Sequence, residues 1–274
     1  HSRIMSIRNI ATQRGTQPGA SWFFRSSLTA EMRIRLFCFP CAGYGAAMYR
    51  SWQSQAPSWL EIVPVQPPGR ANRLREPALD SFPELVQSIL PEFSTLLDRP
   101  YAFFGHSMGS VFASELAAEV VRREMRSPLH LFLSARQPPN LPSPVGPLSH
   151  LDDMAFVEEV NKRYGGIPRE IIEAPEVLEM LLPTLKADIR TLEKIECTAP
   201  KPLPISISAL GGKSDRLVPE NLLAGWESWT ETDFRLQLFE GGHFYLDEQR
   251  SALILHIQDV LEAKSRAIIP TQNL

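Results

Sequence analysis

The sequence predicts an α/β fold: a mostly parallel sheet flanked by helices, with an inserted helical lid. Three observations predict it. Short strand-forming runs alternate with helix-period segments along most of the chain, one block at about 148–200 has helical patterns and no strand, and a glycine-flanked serine stands between a strand and a helix. The 274 residues, 43% hydrophobic and 22% charged, suit one such domain better than two independent units. Residues 1–30 read as a variable N-terminal extension whose end Trp22, Phe23 and Phe24 pin to the body, and residues 31–274 read as the domain.

The first strand is expected at Arg33–Phe39, stopped by Pro40, and the second at Ile62–Val65, ended by Pro67-Pro68-Gly69. Apolar residues from Phe82 to Leu97 recur at helical spacing within 81–97, where Pro91 should bend or interrupt the helix. Tyr101–Phe104 reads as a buried strand, Ser110–Arg123 as a helix and Leu129–Ser134 as a further strand. After a proline-rich loop, Gln137–Pro147, the lid block shows helices broken at Gly165-Gly166, Pro175 and Pro183. Strand character returns at Leu203–Leu210 and at the alternating Phe234–Phe239, and a last helix runs from about Gln249 to Lys264.

Composition excludes several function classes. The net charge is -3, with no stretch that concentrates Lys and Arg, so no nucleic-acid footprint is visible. No run of about 18 apolar residues is available for a transmembrane helix. Three cysteines do not make a disulfide framework and favour a reduced, cytoplasmic setting. Cys38 and Cys41 form a C-x-x-C, but zinc would need a second ligand pair and only Cys197 remains, so neither metal nor cofactor is expected. A redox role for the pair is disfavoured because Cys38 falls inside the strand pattern.

Gly105-His106-Ser107-Met108-Gly109 is a G-x-S-x-G elbow placed where its mechanics require, directly after a strand and before a helix. The two glycines clear space around a strained turn, and the helix start supplies free N–H groups for a developing oxyanion. Ser107 is therefore the candidate nucleophile. Of the later histidines, His130 falls in a strand, His150 opens the lid and His256 lies in the closing helix, whereas His243 stands in a Gly241-Gly242-His243-Phe244 loop that can return to the elbow. Asp215, just past the Leu203–Leu210 strand, fits the acid that orients this base; Asp233 enters a strand and Asp188 lies in the lid. One oxyanion donor should be the Met108 N–H. The other should come from the loop Pro40-Cys41-Ala42-Gly43-Tyr44-Gly45, at Ala42 or Cys41.

Leu36–Gly43, Pro68-Gly69-Arg70, Arg73–Pro77, Phe104–Gly109 and Gly241–Phe244, with Leu182-Pro183 and Lys186-Ala187-Asp188, make the chain resemble the type II thioesterases over about residues 33–260. These are stand-alone α/β-hydrolases that serve polyketide and non-ribosomal peptide synthases. The resemblance implies a Ser107–Asp215–His243 triad and oxyanion donors at Met108 and Ala42. It also implies a partner, an acyl- or peptidyl-carrier protein bearing a phosphopantetheine thioester. Arg70, Arg73 and Arg75 are candidates to meet an acidic carrier helix, and a monomer is the default state. The loop reads Cys-Ala-Gly-Tyr-Gly where the family often has His-Ala-Gly-Gly. The rival readings are an ester hydrolase or acyltransferase with the same residues, a non-catalytic binding module, and a Cys38/Cys41 dithiol protein.

Overall fold

Six runs of apolar and aromatic residues pair into one sheet: β1 (Ile34–Phe39), β2 (Leu60–Pro64), β3 (Tyr101–His106), β4 (Leu131–Ser134), β5 (Ile207–Gly212) and β6 (Phe234–Phe239). The computed structural model describes residues 20–268. Strand order is β2-β1-β3-β4-β5-β6, and every pairing is parallel. The helices are α1 (Phe82–Ser94), α2 (Met108–Arg122), α3 (Asp153–Tyr164), α4 (Arg169–Ile172), α5 (Pro175–Glu193), α6 (Glu220–Leu223), α7 (Tyr245–Glu248) and α8 (Arg250–Ile268).

Side chains of successive strand residues point to opposite faces, so each strand feeds two cores. Phe37, Phe39, Tyr101, Phe103, Leu131 and Leu133 pack with residues of α1 and α2 on one face. Leu36, Cys38, Ala102, Phe104 and Phe132 meet Trp52 and residues of α8 on the other. β1 to β5 are buried throughout, while β6, at the edge, alternates between half-buried and exposed positions. The chain leaves β1 for β2 on one side and then returns to place β3 on the other. That reversal opens a crevice beyond the carboxyl ends of β1 and β3.

Several expected boundaries move. α1 runs through Pro91 and α5 through Pro183. Both prolines are exposed, on faces where water can satisfy the carbonyl that their missing N–H leaves free. Pro175 opens α5 at the first turn, where a missing N–H costs nothing. α2 starts at Met108, not Ser110, because the turn at Ser107 leads straight into helix. β5 begins at Ile207: Leu203 makes only an isolated bridge to Thr230, and Pro204 can donate no ladder bond.

α3, α4 and α5 fill the strand-free stretch between β4 and β5 and bury a small core of their own around Phe156, Val157, Leu178 and Leu182. Ahead of the sheet, Phe23 bridges Val65 antiparallel, Gln66 N donates to Trp22 O at 2.7 Å, and Trp22 N donates to Glu92 Oε2 at 2.9 Å. Trp22 and Phe23 are buried as expected, but Phe24 is exposed; the rest of the predicted extension, residues 1–19, lies outside the described residues. No helix among the described residues is long and apolar enough to cross a membrane.

His130, beside β4, is buried with Nε2 2.8 Å from Ser208 Oγ, and burial followed by the nearby Lys264 and Arg235 charges brings its pKa down to about 3. An unfolded imidazole titrates near 6.5, so below that pH the unfolded chain takes up a proton that the native site refuses. Stability is therefore expected to fall as pH drops from about 6.5 towards about 3. Thermal melts across this window should show a shallower slope for His130→Asn than for the wild type. Parallel slopes would refute the assignment.

Candidate active site

The elbow closes at the switch point. Ser107 adopts φ 52° and ψ -116°, a conformation that costs an L-residue energy and that its surroundings must hold in place. Its N–H donates to Ser134 O at 2.7 Å on the neighbouring strand, and Ser110 Oγ donates to Gly105 O and Ser134 O at 2.9 and 2.8 Å. The flanking glycines are steric requirements: a Cβ at 105 would lie 2.1 Å from Gly109 O, and one at 109 would lie 2.2 Å from Phe39 O.

The loops after β5 and β6 carry the other two side chains, and they touch backbone to backbone. A Cβ at Gly212 would fall 2.2 Å from Gly242 O, and Ser214 N donates to Gly241 O at 2.9 Å. This contact brings His243 Nδ1 to 2.8 Å from Asp215 Oδ2, with His243 Nε2 3.1 Å from Ser107 Oγ. Asp215 Oδ1 accepts the Leu217 and Val218 amides at 3.0 and 3.3 Å. Burial raises the Asp215 carboxyl, but its bond to His243, that ring's charge and the two amides outweigh it, and the group titrates below the usual aspartate range. The imidazole sits among the rings of His106, Tyr164 and Phe244, each 5.4 Å away between centroids. Ser107, Asp215 and His243 are all buried.

The rivals lie elsewhere. Asp233 is exposed at the opposite end of β6, 3.3 Å from Lys264 Nζ, and His150 is exposed, while His130 bonds to Ser208 away from the elbow. Cys38 and Cys41 are buried, and burial pushes both thiols up, so neither forms a thiolate readily. Among the described residues no cluster of three or more His, Cys, Asp or Glu is arranged to hold a metal.

Ser107 and His243 open onto a cavity of about 280 Å³ between the sheet edge and α3–α5. Ala42, Tyr164, Leu182 and Leu185 are among its walls, and no Asp, Glu, Lys or Arg lines it. Met108 is the first residue of α2, where helix geometry leaves its N–H without an intrahelical acceptor.

Two of the arginines expected to face a partner are committed internally. Arg70 is buried and forks onto Asp188, and Arg73 is buried, forks onto Glu76 at 2.8 and 2.6 Å and covers the Trp22 ring at 4.7 Å; Arg75 alone is exposed. Neither Arg70 nor Arg73 is free for carrier recognition. The Arg70–Asp188 pair is a feature that sequence reasoning missed: its members stand 118 residues apart, and no local pattern joins them.

A family model described as a thioesterase domain matches residues 34–261. The chain belongs to the thioesterase family. It is a thioesterase of α/β-hydrolase fold, an enzyme. "Linear gramicidin dehydrogenase LgrE" of Brevibacillus parabrevis is 34% identical over 245 residues, covering 88% of this chain and 93% of that one. ClbQ, from the colibactin NRPS/PKS pathway, superposes with a TM-score of 0.80 at 29% identity, covering 86% of this thioesterase and 99% of ClbQ. The type II thioesterase BorB, from the borrelidin biosynthetic cluster, gives 0.78 at 29% identity, covering 90% and 98%. The resemblance to type II thioesterases of NRPS/PKS pathways thus holds along almost the whole domain. The dehydrogenase name of the first relative finds no counterpart in the first strand-to-helix turn here. Pro40–Gly45 lacks a G-x-G-x-x-G, and only a short 3₁₀ turn, Ala46–Tyr49, follows it.

Proposed function

We propose that this thioesterase hydrolyses acyl thioesters held on the phosphopantetheine arm of a carrier protein, through an acyl-Ser107 intermediate. The observation that carries the reading is the unbroken chain from Ser107 Oγ to His243 Nε2 at 3.1 Å and from His243 Nδ1 to Asp215 at 2.8 Å, on the floor of the apolar cavity.

His243 takes the proton as Ser107 Oγ attacks the thioester carbonyl carbon. The carbonyl oxygen becomes an oxyanion facing the Met108 and Ala42 amides, and Asp215 stabilises the imidazolium. Collapse of the tetrahedral centre expels the pantetheine sulfur, which takes the proton from His243, leaves as the thiol and returns the imidazole to its neutral form. A thiol of pKa near 8.5 needs little help to depart. Water, deprotonated by the same imidazole, then attacks the acyl-serine and frees the acid and the hydroxyl. The α3–α5 block acts as a lid that keeps bulk water from the acyl chain. Clearing stalled or misprimed carriers in a peptide or polyketide synthase is the role that fits this chemistry, with the carrier domain as partner.

A cavity without a fixed cation has nothing to offset the desolvation of a free carboxylate on the acyl group. Carrier proteins loaded with acetyl, butyryl, hexanoyl or malonyl groups, and assayed for free acid, should therefore give faster release of the neutral chains, with malonyl at least about tenfold behind. Equal rates across the panel would show that the cavity does not hold the acyl group. No release from any carrier while a simple ester is cleaved would make the enzyme a carboxylester hydrolase, the reading that shares these residues.

A further inference from the structure

The loop that offers Ala42 is held by the lid. Gly43, with φ 78°, donates its N–H to Asp188 Oδ2 at 2.8 Å, across 145 residues of sequence. Asp188 lies on α5 and is completely buried. Arg70, from the loop after β2, clamps the same carboxylate through Nη1–Oδ2 at 2.6 Å and Nη2–Oδ1 at 2.9 Å, and donates again from Nη1 to Tyr44 O at 2.9 Å. Arg70 Nε also reaches Pro68 O at 3.3 Å, and Thr184 Oγ1 on α5 donates to Gly69 O. A Cβ at Gly43 would lie 2.9 Å from Leu185 Cδ1, so α5 rests directly on this peptide. Three segments distant in sequence thus meet at one loop, beside Ala42.

The chemistry of the arrangement is specific. A carboxylate close to a developing oxyanion would oppose the reaction if it stood alone. The bidentate guanidinium neutralises it and leaves Oδ2 to fix the Gly43 amide. The bond from Gly43 N–H holds the Ala42–Gly43 peptide, and Tyr44 N donates to Cys41 O at 3.1 Å, which fixes the preceding Cys41–Ala42 peptide that carries the Ala42 N–H.

We infer that Asp188, oriented by Arg70, is a positioning residue for acyl transfer: by holding Gly43 it fixes the loop whose Cys41–Ala42 peptide presents the Ala42 amide to the tetrahedral oxyanion. The lid therefore supplies part of the catalytic geometry as well as a roof. The inference rests on the reading of Ser107 as nucleophile and Ala42 as donor.

The test compares wild type, Asp188→Asn, Asp188→Ala and Ser107→Ala on a butyryl-carrier protein. Asp188→Ala should lower kcat about 10- to 100-fold, less than the roughly 10²- to 10³-fold lost when an oxyanion donor is removed outright, with KM little changed. Asp188→Asn, which keeps an acceptor for Gly43 but loses the ionic fork, should fall between. Two probes separate positioning from general disruption. An alkyl boronic acid adds to Ser107 and places a tetrahedral oxygen where the oxyanion forms, so its Ki should rise by the factor that kcat falls. An S-alkyl pantetheine thioether fills the cavity without a carbonyl, and its Kd should stay unchanged, as should the acid limb of the pH profile of kcat/KM. Should Asp188→Ala fail to fold, the Asn variant carries the same comparison. Unchanged kcat in a folded variant, or loss of thioether and boronate binding by equal factors, overturns the inference. Turnover that survives Ser107→Ala overturns the nucleophile reading and this one together. Turnover abolished by Ser107→Ala but untouched by Asp188→Ala overturns only the role of Asp188.

Discussion

Ser107→Ala should cut kcat for acyl-carrier hydrolysis by about 10⁵- to 10⁶-fold, the largest effect of any single substitution in this enzyme. The change removes only an oxygen. The strained turn is set by Gly105, Gly109 and the Ser134 carbonyl, none of which it touches. Thermal stability should accordingly stay close to that of the wild type, which makes the loss attributable to chemistry. What remains would come from binding and from amides aimed at the carbonyl oxygen, a residual of about 10³ to 10⁴ over solution in other serine hydrolases. Free-acid release measured against the uncatalysed rate of the same thioester checks the claim. A variant within tenfold of the wild type would remove the acyl-serine from the mechanism.

Asp215→Asn should lower kcat by about 10⁴-fold while leaving the fold intact. The carboxamide is isosteric, and its oxygen can still accept the Leu217 and Val218 amides that Asp215 Oδ1 accepts at 3.0 and 3.3 Å. Its NH₂ would then face His243 Nδ1, where the carboxylate now accepts at 2.8 Å. That reverses the tautomer: Nε2 carries the proton and cannot take one from Ser107. Asp233→Asn is the matched control, because that exposed carboxylate sits beside Lys264 at the far end of β6, and it should be silent. If the two variants behaved alike in the acyl-carrier assay, His243 would not depend on Asp215 for its orientation.

The parts of this molecule legible in its sequence were those written locally. A glycine-flanked serine after Tyr101–Phe104, a histidine between two glycines and a strand, and an aspartate just beyond a strand each carry their reason in neighbouring residues. Chain order then joined them. Boundaries were harder where two local rules compete. Leu203–Ser206 has the composition of a strand, but prolines at 202 and 204 withhold ladder donors, and beyond the isolated Leu203 bridge continuous pairing with β6 starts where Ile207 N reaches Asp233 O at 3.0 Å. Pro91 and Pro183 looked like breakers because the sequence does not say which helix face meets water. Arg70 and Asp188 were each singled out for separate roles, one at the surface and one as a rival acid. Their pairing depends on α5 folding back over two loops, a tertiary fact with no trace in spacing.

The foundations of the cleft extend upstream of the first strand. The carbonyl of Trp22 anchors Gln66, whose own side chain accepts the Ala46 amide at 2.6 Å and donates to Arg70 O at 3.0 Å. A fragment trimmed to the span that begins at residue 34 would shed that clasp, and the loosening would run through Gln66 into the two loops beside the apolar cavity. Among the described residues, the supports of this cleft therefore reach past the sheet and helices to a tryptophan well before the first strand.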